Sequence, residues 1–346
     1  KMIDKTKQYN CLVCDENSTV EFFINECEFC NDDISNKNHE YVINYKIRND
    51  IVQLISNKHK ILILDKYIDK KLQKNLTNLI DTKENIIPFF GSGLSVPLKY
   101  PSWEKMLVDL ENHLEVELQP AYKRYIDNGN FLKALDFLKD NSLLQTEDLI
   151  KEAIIENFPK DNKYLFKEDN NYLDLYDLES DFYLTTNYDN AFTELATKLD
   201  KFTYPFIWED VKDLQKLYRE KRQRVIHLHG NIEKIESMIV TEKDYKTLYE
   251  NKEFRDNLFS ILSNKSILFL GFSFNDKFFE DIYMDIISQV KGKHYIIVPN
   301  ITITQAQKLI RKNLHVIGIN VEVDDEGNYV IGEYIRAVRC VLKELI

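Results

Sequence analysis

Ile86-Ile-Pro-Phe-Phe90 carries five apolar residues straight into the small polar turn Gly91-Ser-Gly-Leu-Ser95. A short, continuous apolar run closed by such a turn reads as a strand buried on both faces of a parallel sheet. Three later stretches repeat the pattern: Phe182-Tyr-Leu184 into Thr185-Thr-Asn-Tyr-Asp189, Val225-Ile226 into His227-Leu-His-Gly230, and Ile267-Leu-Phe-Leu270 into Gly271-Phe-Ser-Phe-Asn-Asp276. In open α/β sheets, ligands bind just beyond the carboxyl ends of the strands. If these four strands lie side by side, their tips form one crevice holding a Gly-rich turn, an Asn, an Asp, a His and small hydroxyls.

Downstream of Asp181, strand and helix signals alternate to the end of the chain. Strands are expected at Phe182–Thr185, Val225–Leu228, Ser266–Leu270, His294–Val298 and Leu314–Ile319, and helices from near Asn190, Glu242, Asp276, Thr304 and Gly332. This alternation predicts a doubly wound parallel sheet with helices on both faces. Between the first and second strands the pattern is helical, with Leu107, Leu110, Leu114 and Leu118 on one face and Phe131, Ala134, Leu135 and Leu138 on another. The span is far longer than a simple strand-to-helix connection needs. It reads as a helical insertion over about 103–180 that covers one side of the crevice.

Upstream, residues 41–82 read as a linker and helical segment, with Ile68, Leu72, Leu76 and Ile80 at four-residue spacing. Residues 1–40 carry Cys11-x2-Cys14-x12-Cys27-x2-Cys30. Paired CxxC turns at this separation let four thiolates reach one tetrahedral ion, so a structural zinc site in a zinc-ribbon-like module is expected. The β-prone Ser18-Thr-Val-Glu-Phe-Phe-Ile24 between the pairs suits its hairpin. Cys340 falls in an apolar helical pattern and reads as a core residue.

Composition limits the partners. The net charge is −11, and from Gln8 to Asn36 there are seven acidic residues and no Lys or Arg. A phosphate backbone needs a concentrated basic surface, so nucleic acid is not expected as the ligand of this chain. No apolar run approaches the roughly 20 residues of a membrane span. No secretory leader pattern is visible, and the expected location is the cytoplasm.

At the crevice, Gly91, Ser92, Gly93 and Ser95 are candidates to hold a pyrophosphate, because glycines admit close approach and helix-start N–H groups attract anions. There is no Walker lysine and no GxGxxG. Asn187 stands hard against its strand, where it can face a ligand, while Asp189 can cap the helix that follows. His229 precedes a glycine and can exchange a proton near neutral pH. Gly271 and Ser273 offer a close-approach backbone and a hydroxyl.

Taken in order, GSGLS, TTNYD, HLHG and LGFSFND closely resemble the sirtuin-like NAD-binding domain. They are most similar to its prokaryotic branch in antiphage defence systems such as Thoeris and the sirtuin–HerA pairs. The resemblance covers about Ile86 to Asn300, within a domain placed at 83–346, and implies a Rossmann-like sheet with NAD as substrate. It implies Asn187 and His229 as the catalytic pair. Gly91, Ser92, Gly93, Ser95 and Asp189 would lie on the NAD, with Gly271 and Ser273 on its adenosine side and Asn300 at the adenine ribose.

Two departures bear on the reaction. Deacylating sirtuins carry two CxxC pairs after the HG motif, whereas Gly230 to Gly271 here contains no Cys, and Tyr188 replaces a usually aliphatic residue. NAD hydrolysis to nicotinamide and ADP-ribose is therefore expected. NAD-dependent deacylation, ADP-ribosyl transfer and a non-catalytic nucleotide-binding scaffold are the alternatives. The defence relatives further imply a gated enzyme, with a homo-oligomer or a separate HerA-type NTPase or other defence component as partner.

Overall fold

The computed structural model describes residues 66–159, 169–198, 204–219, 223–272, 290 and 292–346, together with two short strands near the N-terminus. Those strands, β1 (Gln8–Asn10) and β2 (Asn17–Thr19), pair antiparallel. They bracket Cys11 and Cys14 in sequence, but all four zinc-ligand candidates lie outside the described residues, as do Ser273 and Asp276.

The main sheet contains β3 (Ile86–Phe90), β4 (Phe182–Thr185), β5 (Tyr204–Ile207), β6 (Arg224–His227), β7 (Ser266–Leu270), β8 (His294–Pro299) and β9 (Leu314–Ile319). Their order is β5-β6-β4-β3-β7-β8-β9, and every pairing is parallel. The chain starts at the centre with β3, adds β4 and β6 on one side, then β7, β8 and β9 on the other. This is the Rossmann-type order with β5 as an added edge, and its direction reverses between β3 and β7. Right-handed crossovers on the two sides put the connecting helices on opposite faces. Residues of β3, β4, β6 and β7 are buried throughout, as continuous apolar runs require.

The four polar-tipped strands are consecutive neighbours, β6-β4-β3-β7, so their tips do meet at one edge. Pro88 sits inside this central strand without an N–H to give. Accordingly, β4 pairs with β3 only from Phe89 onward, whereas β7 follows β3 along its whole length. The third strand is one residue earlier than the sequence pattern suggests, at Arg224–His227; Leu228 N–H still bonds the Thr185 carbonyl at 2.8 Å. Three elements were not expected: β5, the short helix at Leu214–Arg219 and the helix at Lys252–Leu262. Strand β5 contains Pro205, which weakens a strand reading yet is tolerated at the sheet edge where β5 lies.

Helix α1 (Gln73–Ile80) is shorter than the four-residue spacing suggests. Ile68 lies outside it, bridging to Ile319 of β9, and Leu76 and Leu79 are the buried residues. Residues 66–82 thus pack on the main sheet rather than hang beside it. The span between β3 and β4 is helical as expected: α2 (Trp103–Asp109), α3 (Gln119–Asp127), α4 (Phe131–Asn141), α5 (Glu147–Ile155) and α6 (Tyr172–Tyr176). Helix α7 (Ala191–Lys198) follows β4, and α8 (Leu214–Arg219) precedes β6. Two helices, α9 (Glu242–Tyr249) and α10 (Lys252–Leu262), connect β6 to β7. The second was missed because only Glu250 and the Asn251 cap, which accepts from Phe254 N–H, separate it from the first. Helices α11 (Ile303–Arg311) and α12 (Ile331–Lys343) complete the chain, and Cys340 on α12 is buried.

Candidate functional site

At the switch point the glycines face each other. Gly93 N–H donates to the Gly271 carbonyl at 2.9 Å, and Gly91 N–H donates to that of Leu270 at 3.0 Å. A Cβ on Gly91 or Gly93 would stand 2.7 or 2.8 Å from the Gly271 carbonyl oxygen. Gly271 itself has φ +71°, a left-handed backbone that favours glycine. These three glycines are therefore needed first for contact between two strand tips. No α-helix begins at the turn: it continues as 3-10 turns at Ser92–Leu94 and Val96–Leu98, with α2 starting only at Trp103. The expected helix-start anion site is absent there, because the N–H groups of Gly91, Gly93, Leu94 and Ser95 already have carbonyl partners. Ser92 is the residue of the turn best placed to reach a ligand, and it lines the cleft with Gly91.

The β4 tip is tied together by side chains. Thr185 Oγ1 donates to the Phe90 carbonyl at 2.9 Å and accepts from Asn187 N–H at 3.0 Å, locking the chain as it leaves the strand. Asp189 Oδ1 accepts from Ala191 N–H at 3.1 Å, at the start of α7. Its Oδ2 accepts from Ser95 Oγ at 2.8 Å. Burial pushes the Asp189 carboxyl up to about 6, opposed by these hydrogen bonds. Ser95, fully buried, also lies 2.6 Å from the Tyr172 hydroxyl and 3.0 Å from Asn187 Nδ2. Ser95 is thus an internal hub, and it does not line the cleft that Gly91 and Ser92 line. Asn187 is 5% exposed, and its Oδ1 has no hydrogen-bond partner among the described residues. A buried, unpaired amide oxygen costs about 1–3 kcal/mol, and a cleft that takes up a ligand gives that oxygen a donor.

The β6 tip is built differently. His227 Nδ1 donates to the Asn187 carbonyl at 2.9 Å, so this imidazole braces the neighbouring tip from behind. His229 shares a 2.9 Å hydrogen bond between Nε2 and the Tyr249 hydroxyl. The Tyr245 ring meets its edge with centroids 5.1 Å apart. Burial lowers the imidazoles of His227 to about 4 and His229 to about 3, so both are neutral near pH 7. Gly230, at φ +80°, admits a close approach, but the group is the chain itself: an added Cβ would lie 2.1 Å from the Ser237 carbonyl oxygen.

Asn187, Asp189, His229, Gly91 and Gly271 all line one cleft. Its opposite wall comes from the helical insertion, through Trp103, Met106, Phe131 and Phe158. Trp103 Nε1 is buried there with no hydrogen-bond partner among the described residues. The insertion is fastened across the domain by Lys151 of α5, 4% exposed, whose Nζ lies 3.1 Å from Asp244 Oδ2 in α9. Asn300 does not join the cleft. It has φ +47°, its Nδ2 donates to the Val321 carbonyl at 2.7 Å, and its Oδ1 accepts from Val321 N–H at 2.8 Å. Both ends of its amide hold the Val321 backbone, so the side chain pins β8 to the segment after β9.

Sequence reasoning missed Trp103, Tyr172, Tyr245 and Tyr249. The two α9 tyrosines are four apart and share a helix face, a signal that could have linked them. Tyr172 comes from the insertion and has no local signature.

Residues 181–318 match the SIR2-like domain. The match spans β4 to β9 and includes both Asn187 and His229. The chain is also distantly related to curated proteins called NAD(+) hydrolase ThsA. It is 26% identical to the one from Enterococcus faecium over 68% of this chain and 47% of that protein. The identity to that of Cytobacillus dafuensis is 26% over 56% and 36%, and to that of Acinetobacter baumannii 25% over 69% and 45%. The chain spans less than half the length of these relatives. Among the described residues, no helix is long and apolar enough to cross a membrane.

Proposed function

We propose that this chain hydrolyses NAD to nicotinamide and ADP-ribose, as an effector of bacterial antiphage defence through NAD depletion. The observation that carries the reading is the convergence of Asn187 and His229 from adjacent strand tips onto one cleft. The SIR2-like match and the kinship to NAD(+) hydrolases support it.

In the reaction, the bond from ribose C1′ to the pyridinium nitrogen breaks, its electron pair neutralising the ring. Water adds to C1′ and loses a proton, so the products are nicotinamide, ADP-ribose and H⁺. The transition state is oxocarbenium-like, as in glycoside hydrolysis. Asn187 Oδ1, buried and unpartnered, offers an acceptor to the attacking water or a ribose hydroxyl. His229 is neutral in this environment, so it adds no positive charge beside the developing cation. Its imidazole accepts a hydrogen bond from a ribose hydroxyl while the C–N bond opens, and takes a proton only as water adds to C1′ and quenches the charge on the sugar. The aromatic wall of Trp103, Phe131 and Phe158 suits a planar leaving ring. Ser92 is left as the turn residue for a phosphate. Zinc at Cys11, Cys14, Cys27 and Cys30 belongs to the same proposal; metal analysis of wild type and Cys14→Ser tests it.

Nicotinamide released from NAD by the purified chain is the decisive measurement. His229→Ala is expected to lower it by about 10²–10⁴. Equal release by wild type and variant would end the hydrolase reading, and release only with an acylated peptide would replace it with deacylation.

A further inference from the structure

Ser95 Oγ has one proton and three polar neighbours. Asp189 Oδ2 at 2.8 Å takes that proton, because an ionised carboxylate can only accept. Toward its other two neighbours, Ser95 must therefore accept. The Tyr172 hydroxyl donates to it at 2.6 Å, and Asn187 Nδ2 donates at 3.0 Å. With its own proton spent on Ser95, the Tyr172 oxygen is left as an acceptor, facing Asn187 Nδ2 at 3.4 Å. A flipped Asn187 amide would set its oxygen against two oxygens whose protons are already committed. The chain of donors thus fixes which end of the amide faces inward, and the carbonyl oxygen becomes the free end.

We propose that Tyr172 is a positioning residue that, together with Ser95, holds the Asn187 side chain with Oδ1 free to meet the ligand. The inference rests on the NAD-hydrolase reading for its kinetic consequence, but not for its geometry. Tyr172 is fully buried and does not line the cleft, so it acts through Ser95 and Asn187. Its ring packs against Phe90 and Phe192, with centroids 5.7 and 5.8 Å away. The helix carrying it is anchored to α12 on either side of Tyr172. Asn171 Nδ2 donates to the Ile335 carbonyl at 2.9 Å, and Arg339 Nε donates to Asp174 Oδ2 at 2.9 Å. Arg339 also reaches Asp169 Oδ1 through Nη2 at 2.7 Å. A ring held this firmly gives its hydroxyl one place to be.

Tyr172→Phe keeps the ring and removes the hydroxyl. Its kcat for nicotinamide release is expected to fall roughly tenfold, the scale of one buried hydrogen bond, with KM changed less than twofold. In a Ser95→Ala background, the same substitution should cost little more, because both act along one chain of hydrogen bonds. Unchanged kcat in Tyr172→Phe, or full additivity with Ser95→Ala, would overturn the proposal and leave Tyr172 as packing. A change confined to KM would do the same by making it a ligand contact. The Asn187 side-chain amide resonances, identified by their loss in Asn187→Ala, give a readout that needs no turnover. Faster hydrogen exchange at that amide in Tyr172→Phe supports the proposal even if wild type releases no nicotinamide, an outcome that would sink only the hydrolase reading. Identical exchange would count against the positioning role. If Tyr172→Phe does not fold, wild type labelled with 3-fluorotyrosine tests the same contact: a hydroxyl bonded to Ser95 must give a fluorine signal at residue 172 that shifts in Ser95→Ala, and one that does not shift refutes it.

Discussion

The two halves of the cleft hold their key residues by opposite means. Asn187 is enclosed by polar groups from three separate segments: Ser95 after β3, Tyr172 on α6, and Asp189 with Thr185 around its own tip. His229 sits among aromatic rings from α9, with a phenol hydroxyl on Nε2. A directional network of this kind fixes which way a side chain points. An apolar surround instead fixes which protonation state it has, here by pushing the imidazole down to about 3. The cleft needs both kinds of control, since an amide has no charge to tune and an imidazole is easily charged.

The comparison is broken most severely at Ser95. Ser95→Ala removes the shared hub and leaves a buried carboxylate short of a partner, so unfolding free energy should fall by about 1–3 kcal/mol. Misplacement of Asn187 should reduce nicotinamide release on the order of 100-fold. Denaturant titration and turnover measure the two effects. On the other side, Tyr249→Phe removes one hydrogen bond but keeps the aromatic surround. A loss of only about 3–10-fold in release is expected, with His229 still neutral near pH 7 by NMR titration.

Acid sharpens the contrast. His227 and His229 take up protons below their ordinary 6.5 in the unfolded chain but resist them down to about 4 and 3 in the fold. They therefore lose native stability as pH falls below 6.5. Asp189 works the other way: it holds its proton up to about 6 in the fold against 3.8 unfolded, and so gains native stability as pH falls through that window. Two imidazoles oppose one carboxyl, so thermal midpoints should drop between pH 7 and pH 5. In Asp189→Asn, which removes the opposing gain, they should drop more steeply. The smallest effect is expected outside the cleft. Asn300→Gly keeps the left-handed backbone, loses two bonds to Val321, and should cost about 1 kcal/mol with nicotinamide release unchanged.

Much of the fold was legible because buried parallel strands write themselves as uninterrupted apolar runs. β3, β4, β7 and β9 fall where Ile86–Phe90, Phe182–Thr185, Ser266–Leu270 and Leu314–Ile319 suggest. What escaped was whatever a local pattern disguises, such as the Pro-containing edge strand β5 or α10 following α9 after only Glu250 and Asn251. At the cleft, Asn187 and His229 were legible from their places at strand ends. The meaning of the glycines was not: a GxG turn looks the same whether a phosphate or another strand tip approaches it. Only Gly271, 180 residues away in the chain from Gly91, shows that the near neighbour is backbone.

The amino-acid sequence alone determined the central strands of the sheet, the polar tips that close them and the two side chains, Asn187 and His229, that line the cleft there, because apolar periodicity and strand-end chemistry are local properties. The tertiary structure decided the rest. It made Ser95 a buried hub, Asn300 a pin on Val321, and Tyr172 a neighbour of Asn187. Hydrogen-bond partners are assigned by distance in space, and a side chain's burial and protonation follow from what packs over it.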